Sequence, residues 1–160
     1  MAGKKDRVDP CVPPQTQDAL DQYLPYLVNR ISSLGQAVQN RKLSGSGVNV
    51  VTLRALSILH IHGRLTVNEI AARAFAEQST ASRAIDAMVT AGLVERRVSQ
   101  SDQRQRLLAL TQAGSDLLHS CWPLVEDHFS MLTSGIDQHE IDICRNVLLR
   151  MIDNVKRQDT

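Results

Sequence analysis

The sequence predicts a mainly α-helical chain carrying one small β-hairpin. Three observations lead there: long stretches whose apolar residues recur at steps of three and four, glycines placed to close helices at 63 and 92, and two strand-length segments, 93–98 and 106–110, flanking a polar run. At 160 residues the chain can bury one sizeable core, or one small domain plus an oligomerisation arm. A hydrophobic share of 42% with 22% charged residues excludes a largely disordered chain.

Residues 1–15 hold Lys4, Lys5, Pro10, Pro13 and Pro14 with little apolar content and read as a flexible arm. From Leu20 the positions Leu20, Leu24, Leu27, Ile31, Leu34 and Val38 form the seam of a helix packed lengthwise on others, ending near Asn40. Pro25 falls within that seam, so a kink or restart is expected there. The run KLSGSGV breaks the pattern, and a second helix follows over about 48–62, closed by Gly63. Arg64 and Leu65 read as a short extended stretch.

Thr66-Val-Asn-Glu69 is a capping box that starts a helix from Val67 to about Phe75. The next helix covers Gln78 to Ala91, with Ala81, Ile85, Met88 and Val89 inward and Gly92 as its stop. The strand-length segments and the turn-prone Ser99–Gln103 run make a hairpin with a long tip. Thr111 caps a helix over 112–132 with a bend expected at Trp122-Pro123, and Asp137 opens a last helix whose apolar stripe is Ile141, Cys144, Leu148, Met151, Ile152 and Val155.

The net charge of +1 conceals an asymmetry. Residues 1–111 hold 14 Lys+Arg against 9 Asp+Glu, whereas residues 112–160 hold 4 against 8. One end is thus suited to a polyanion. No apolar run approaches the roughly 20 residues a bilayer span requires, and the basic start lacks the apolar segment of a secretory signal, so a cytoplasmic protein without a membrane partner is expected. Cys11, Cys121 and Cys144 are odd in number and not in metal-like spacing, which fits a reducing compartment.

Helix, turn, helix and then hairpin is the winged helix-turn-helix order. On the second helix the outward positions Gln78, Ser79, Thr80, Ser82 and Arg83 combine short hydroxyls that donate to phosphates with side chains long enough to reach base edges. Arg96, Arg97, Arg104 and Arg106 cluster on the hairpin with only Asp102 among them, making a basic wing. An arginine on such a loop suits a narrow A·T-rich minor groove. The expected partner is therefore double-stranded operator DNA.

At these residues the chain resembles the MarR family of bacterial regulators. The stretch LTVNEIAARA…STASRAIDAMVTAGLVERR…SDQRQRLLALTQAG looks like that family's helix-turn-helix, wing and following helix, with Asp102-Gln-Arg104 matching its Asp-x-Arg wing motif. Glu77 and Gln103 depart from the pattern: the first stands where a small hydroxyl residue is usual, the second replaces the first wing arginine. The resemblance, over about 18–157, implies a mainly α winged helix-turn-helix with N- and C-terminal dimerisation helices and one small β-hairpin wing. It divides the chain into an arm (1–15), a helical dimerisation region (16–47 and 112–160) and a DNA-binding domain (48–111). It further implies major-groove contacts from Ser79, Thr80, Ser82 and Arg83, a minor-groove contact from Arg104, and Asp102 orienting the wing arginines.

The same resemblance implies a homodimeric repressor, released from a near-palindromic operator by a small-molecule effector, an aromatic acid or its thioester. Tyr26 and Arg30, one turn apart on the first helix, with His60 and His62 at the end of the second, supply an aromatic wall, a cation and adjustable donors for it. Two other classes compete: a redox sensor of the same fold using Cys11, and a winged helix for protein contacts or sequence-neutral DNA packaging. His60 and His62, two apart on a helix, diverge and make no metal pair, and no cofactor is implied. A Gly-rich phosphate loop, G-x-S-x-G, His-Glu-x-x-His and a credible carboxylate pair are all absent from the sequence, so an enzyme is not expected.

Overall fold

A computed structural model of the chain describes residues 12–74, 78–98 and 106–158. The seam at the N-terminal end is split in two. Thr16 caps the short α1 (Gln17–Asp21), its side chain accepting from the Ala19 amide at 3.1 Å, and the chain restarts as α2 (Leu24–Leu43). Pro25 lies in the first turn of α2, where its missing amide hydrogen has no intrahelical partner to lose, so the expected interruption falls just ahead of it. The helix continues one turn beyond Asn40 before a 3-10 turn at Ser44–Ser46.

The third helix, α3 (Val50–His62), is the hub of the core. Asn49 caps it by accepting from the Thr52 amide at 2.9 Å, and Asn40 of α2 accepts from the Val50 amide at 2.9 Å, so two side chains quiet its free N-terminal donors. Val50, Leu53, Ala55, Leu56 and Leu59 are buried on it. Around them pack Leu43 of α2, Ile70 of α4 (Val67–Ala74), Ile85 and Met88 of α5 (Gln78–Thr90), Val94 of β2 (Val94–Val98), Leu108 of β3 (Arg106–Leu110), and Leu118 and Cys121 of α6 (Gln112–Leu132). Every element of the winged lobe is therefore anchored on one apolar cylinder.

The extended stretch at Arg64–Leu65 is a true strand, β1, and it enlarges the expected hairpin to a three-stranded antiparallel sheet in the order β1-β3-β2. Its register pairs Arg64 with Ala109 and Leu65 with Leu108, while Val94 faces Leu110 and Val98 faces Arg106. Leu65 and Leu108 are both buried, so the pairing sets two apolar neighbours side by side on the core face of the sheet. The expected bend at Trp122-Pro123 does not split α6, which runs through Pro123 as one helix.

The last helix, α7 (Gln138–Lys156), begins with a complete capping box between Asp137 and Glu140. No residue of α7 is buried within the single chain. Ile143, Val147, Leu148, Leu149, Met151, Ile152 and Val155 are exposed along it, as are Leu24, Leu27, Val28, Ile31 and Leu34 along α2. Among the described residues no helix is long and apolar enough to cross a membrane.

One junction joins the winged lobe to α6. Gly92, at φ 71°, turns the chain out of α5 into β2, a left-handed conformation that favours glycine. The Thr111 amide donates to the Leu93 carbonyl at 3.1 Å, the Thr111 hydroxyl donates to the Gly92 carbonyl at 2.7 Å, and that same hydroxyl oxygen caps α6 by accepting from the Gly114 amide at 3.1 Å. A Cβ on Gly114 would stand 2.1 Å from the Leu93 carbonyl oxygen and 3.0 Å from its carbon. Because the obstacle is backbone, Gly114→Ala is expected to cost about 3 kcal/mol, the upper part of the usual overpacking range. Urea denaturation measures it; a loss below about 0.5 kcal/mol would show that the junction yields freely.

Candidate nucleic-acid interface

The site begins at the start of α4. Thr66 and Glu69 form the reciprocal box read from the sequence: the Thr66 amide and hydroxyl donate to Glu69 Oε2 at 2.8 and 2.9 Å, and the Glu69 amide donates to Thr66 Oγ1 at 3.2 Å. The Thr66 amide foremost, then its hydroxyl, hold the Glu69 carboxyl below the ordinary carboxylate range, and Arg73 and His62 add a weaker pull. At the other end Arg54 of α3 reaches across to donate to the Ala74 carbonyl at 3.0 Å, satisfying the last carbonyl of α4. The first helix of the pair is thus held at both ends.

The second helix, α5, buries Ala81, Ile85 and Met88, with Val89 half-buried beside them. The opposite face leaves Ser79, Thr80 and Arg83 exposed and Ser82 half-buried, while Gln78, exposed at the helix start, lies on the same stripe as Ala81 and Ile85. Three of the five expected reading residues therefore share an open polar face near the helix N-terminus, with Gln78 exposed at its first position. Gln78 is not loose there: its Nε2 donates to Asn68 Oδ1 of α4 at 2.8 Å.

The hairpin arginines are more constrained than their number suggests. Arg96 Nη2 pairs with Asp86 Oδ1 of α5, and Arg97 donates from Nε to Glu95 Oε1 at 2.7 Å. Both side chains stay about half exposed, at 49% and 51%. The Arg96 pair links the second strand to α5 across their exposed surfaces. Arg106 is exposed at the start of β3, opposite Val98. Asp102, Gln103 and Arg104 lie outside the described residues, as do Glu77 and Cys11.

The residues expected around an effector fall into two places. Arg30 Nη1 meets Asp21 Oδ1 at 3.1 Å and the Tyr26 hydroxyl at 3.3 Å, and its guanidinium lies 5.8 Å from the Tyr26 ring. Arg30 also borders a cavity of about 390 Å³ between α2 and α6, lined mostly by Leu27, Ile31, Leu34, Val38 and Met131. His60 instead borders a cavity of about 290 Å³ between α3 and α6 with Ser57, Leu118, His119 and Trp122. There the His60 and His119 rings meet edge to face at 5.4 Å, and His119 Nδ1 donates to the Ser115 carbonyl at 2.7 Å. His62 is exposed in the last turn of α3 and borders neither cavity. Within one chain the two pairs do not meet.

Sequence reading passed over four residues here. Asn68 was hidden inside the capping box as a filler position, although its place in the first turn of α4, ten residues before Gln78, puts it where the two helix starts meet. Asp86 and Glu95 lie close in sequence to the arginines and were visible as potential partners only once the strand direction was known. His119 could not be joined to His60 without knowing that α6 crosses α3.

The model of the MarR family matches residues 46–105. A MarR family transcriptional regulator from Silicibacter pomeroyi is 33% identical, with a TM-score of 0.79, over 88% of this chain and 94% of that one. A mutant MarR from E. coli, complexed with operator DNA, is 22% identical with a TM-score of 0.73, over 80% of this chain and 92% of that one. BpsR from Bordetella bronchiseptica, whose DNA binding is regulated by 6-hydroxynicotinic acid, is 18% identical with a TM-score of 0.78, over 88% and 99%. No curated protein matches the chain.

The Glu69 box gives the site a pH dependence with a definite sign. Its lowered carboxyl contributes stability that is complete above the unfolded value of about 4.3 and is lost as pH falls through the folded value beneath it. Glu69→Gln removes that contribution, so the variant's urea midpoint should fall less steeply than the parent's between pH 5 and pH 3, on the order of those carboxyl values. Parallel curves would contradict the assignment.

Proposed function

The chain belongs to the MarR family, and on that premise we propose that this DNA-binding transcriptional regulator is a homodimeric cytoplasmic repressor released from a near-palindromic operator by a small aromatic acid. The observation that carries the reading is the α5 surface: Ser79, Thr80 and Arg83 exposed on one face, Ala81, Ile85 and Met88 buried on the other, Gln78 exposed at the helix start, and a cationic hairpin tied beside it through Arg96 and Asp86. Duplex DNA asks for that combination of short donors, long base readers and flanking positive charge. In this reading Ser79, Thr80, Ser82 and Arg83 face the major groove. Arg104 enters the minor groove, Asp102 orients it, and Arg97 and Arg106 flank it toward phosphates.

Dimerisation is supported by the unburied apolar stripe of α7 and the exposed apolar face of α2, which together exceed what a lone chain keeps in water without a partner. A two-fold pair would set the two α5 helices about one DNA turn apart, roughly 34 Å, and so select a near-palindrome. The effector belongs in the α3–α6 cavity, where Trp122 and the two imidazoles offer stacking surface and Ser57 and His60 offer polar contacts. Its volume, about 290 Å³, suits a single aromatic acid better than a thioester on a large carrier. The aromatic acid that regulates BpsR supports the same ligand class here.

Three measurements test this. Sedimentation equilibrium at micromolar concentration should give twice the chain mass, and Leu148→Asp on α7 should shift it toward one chain; a monomeric parent would refute the dimer. Arg83→Ala should weaken specific binding by about 1–3 kcal/mol and relax one base pair per half-site, whereas Arg104→Ala should weaken binding broadly and flatten its salt dependence. Aromatic acids should raise the melting temperature and release the duplex, and a tenfold release requires about 1.4 kcal/mol of preference for the unbound form. An unchanged melting temperature across a panel of such acids would refute the effector class.

A further inference from the structure

We infer that Asn68 is a positioning residue that presets Gln78 to read an adenine in the major groove. The inference rests on the DNA-reading assignment above and adds to it a residue and a base. Gln78 is the first residue of α5 and Asn68 the second of α4, both exposed, and Gln78 Nε2 donates to Asn68 Oδ1 at 2.8 Å across the gap between the two helix starts. The Thr66–Glu69 box orders the backbone of the first turn of α4, from which Asn68 projects.

The chemistry follows from the amide. A glutamine free to turn presents its oxygen and nitrogen interchangeably and favours no base consistently. With Asn68 presenting Oδ1, Gln78 turns its nitrogen end toward it, because the Gln78 oxygen facing Asn68 Oδ1 would set acceptor against acceptor. Bidentate pairing with adenine uses the glutamine oxygen, which accepts from N6, and one amide hydrogen, which donates to N7. The second amide hydrogen would otherwise be left over, and it is the one Asn68 takes. Every hydrogen-bonding group of Gln78 then has a partner in the complex, while the Asn68 amide keeps its own hydrogens for a phosphate.

The test uses full-length protein and duplexes selected by the parent from a randomised pool. Affinities are measured for the parent, Gln78→Ala, Asn68→Ala and Asn68→Asp on a selected duplex and on copies with each A·T pair replaced in turn. The parent should lose about tenfold at one symmetry-related adenine, and Gln78→Ala and Asn68→Ala should each reduce that loss to about twofold or less, with unchanged melting temperatures. Asn68→Asp keeps the acceptor but adds a negative charge, so it should retain the adenine preference while binding every duplex more weakly and with altered salt dependence. Full adenine discrimination by Asn68→Ala, or its loss in Asn68→Asp, would overturn the inference while leaving DNA reading intact. A parent that selects no sequence would overturn the DNA-reading assignment and this inference with it.

Discussion

The close approach of Gly114 to the Leu93 carbonyl governs how the two halves of the molecule relate. Leu93 follows the C-terminal turn of α5, and Gly114 lies in the first turn of α6. With no side chain between them and Thr111 bonded to both sides, the end of the recognition helix and the start of the longest helix behave as one rigid joint. Any reorientation of α6 is therefore delivered to α5 without the slack a side-chain contact would leave. The α3–α6 cavity sits farther along α6, at Leu118, His119 and Trp122. That cavity therefore opens on the same helix whose N-terminal end is joined to α5.

Much of this was legible in the sequence because the signals were local. The Thr66–Glu69 box, the cap at Thr111 and the apolar spacing of Ala81, Ile85 and Met88 each reflect hydrogen bonds or burial within a few residues, and the elements appear where those signals put them. The restart before Pro25 was readable for the same reason. What escaped was decided by distant partners. The extended reading of Arg64–Leu65 holds, but its pairing with β3 through Leu108, more than forty positions away, and hence the third strand of the sheet, did not show in the sequence.

The candidate site divides along the same line. Which residues of α5 face outward followed from helical spacing, with Ser82 half-buried as the exception. The charge count of the wing followed from composition, yet its usable charge did not, since Arg96 and Arg97 each meet a carboxylate whose position depends on the folded strand. Exposed pairs of this kind add little stability and are screened by salt, so what they change is where the guanidinium charge is directed rather than how firmly the hairpin is held. The residues expected around an effector show the limit most plainly. Tyr26 and Arg30 lie one turn apart as expected, but the partner that His60 meets is His119, on a helix nearly sixty residues later.

The pinned base of the hairpin has one more consequence. Leu93 and Thr111 are bonded to each other at the point where the chain enters and leaves the β2–β3 pair, so the ends of that excursion are fixed whatever lies between them. Closing a few more residues into a loop whose ends are already held costs little, because the entropy of closure grows only with the logarithm of length. The wing is thus a cassette: its tip can lengthen, shorten or change its residues without unsettling the core beneath. What is added or removed there is absorbed before it reaches the joint at Gly114, which keeps the scaffold constant.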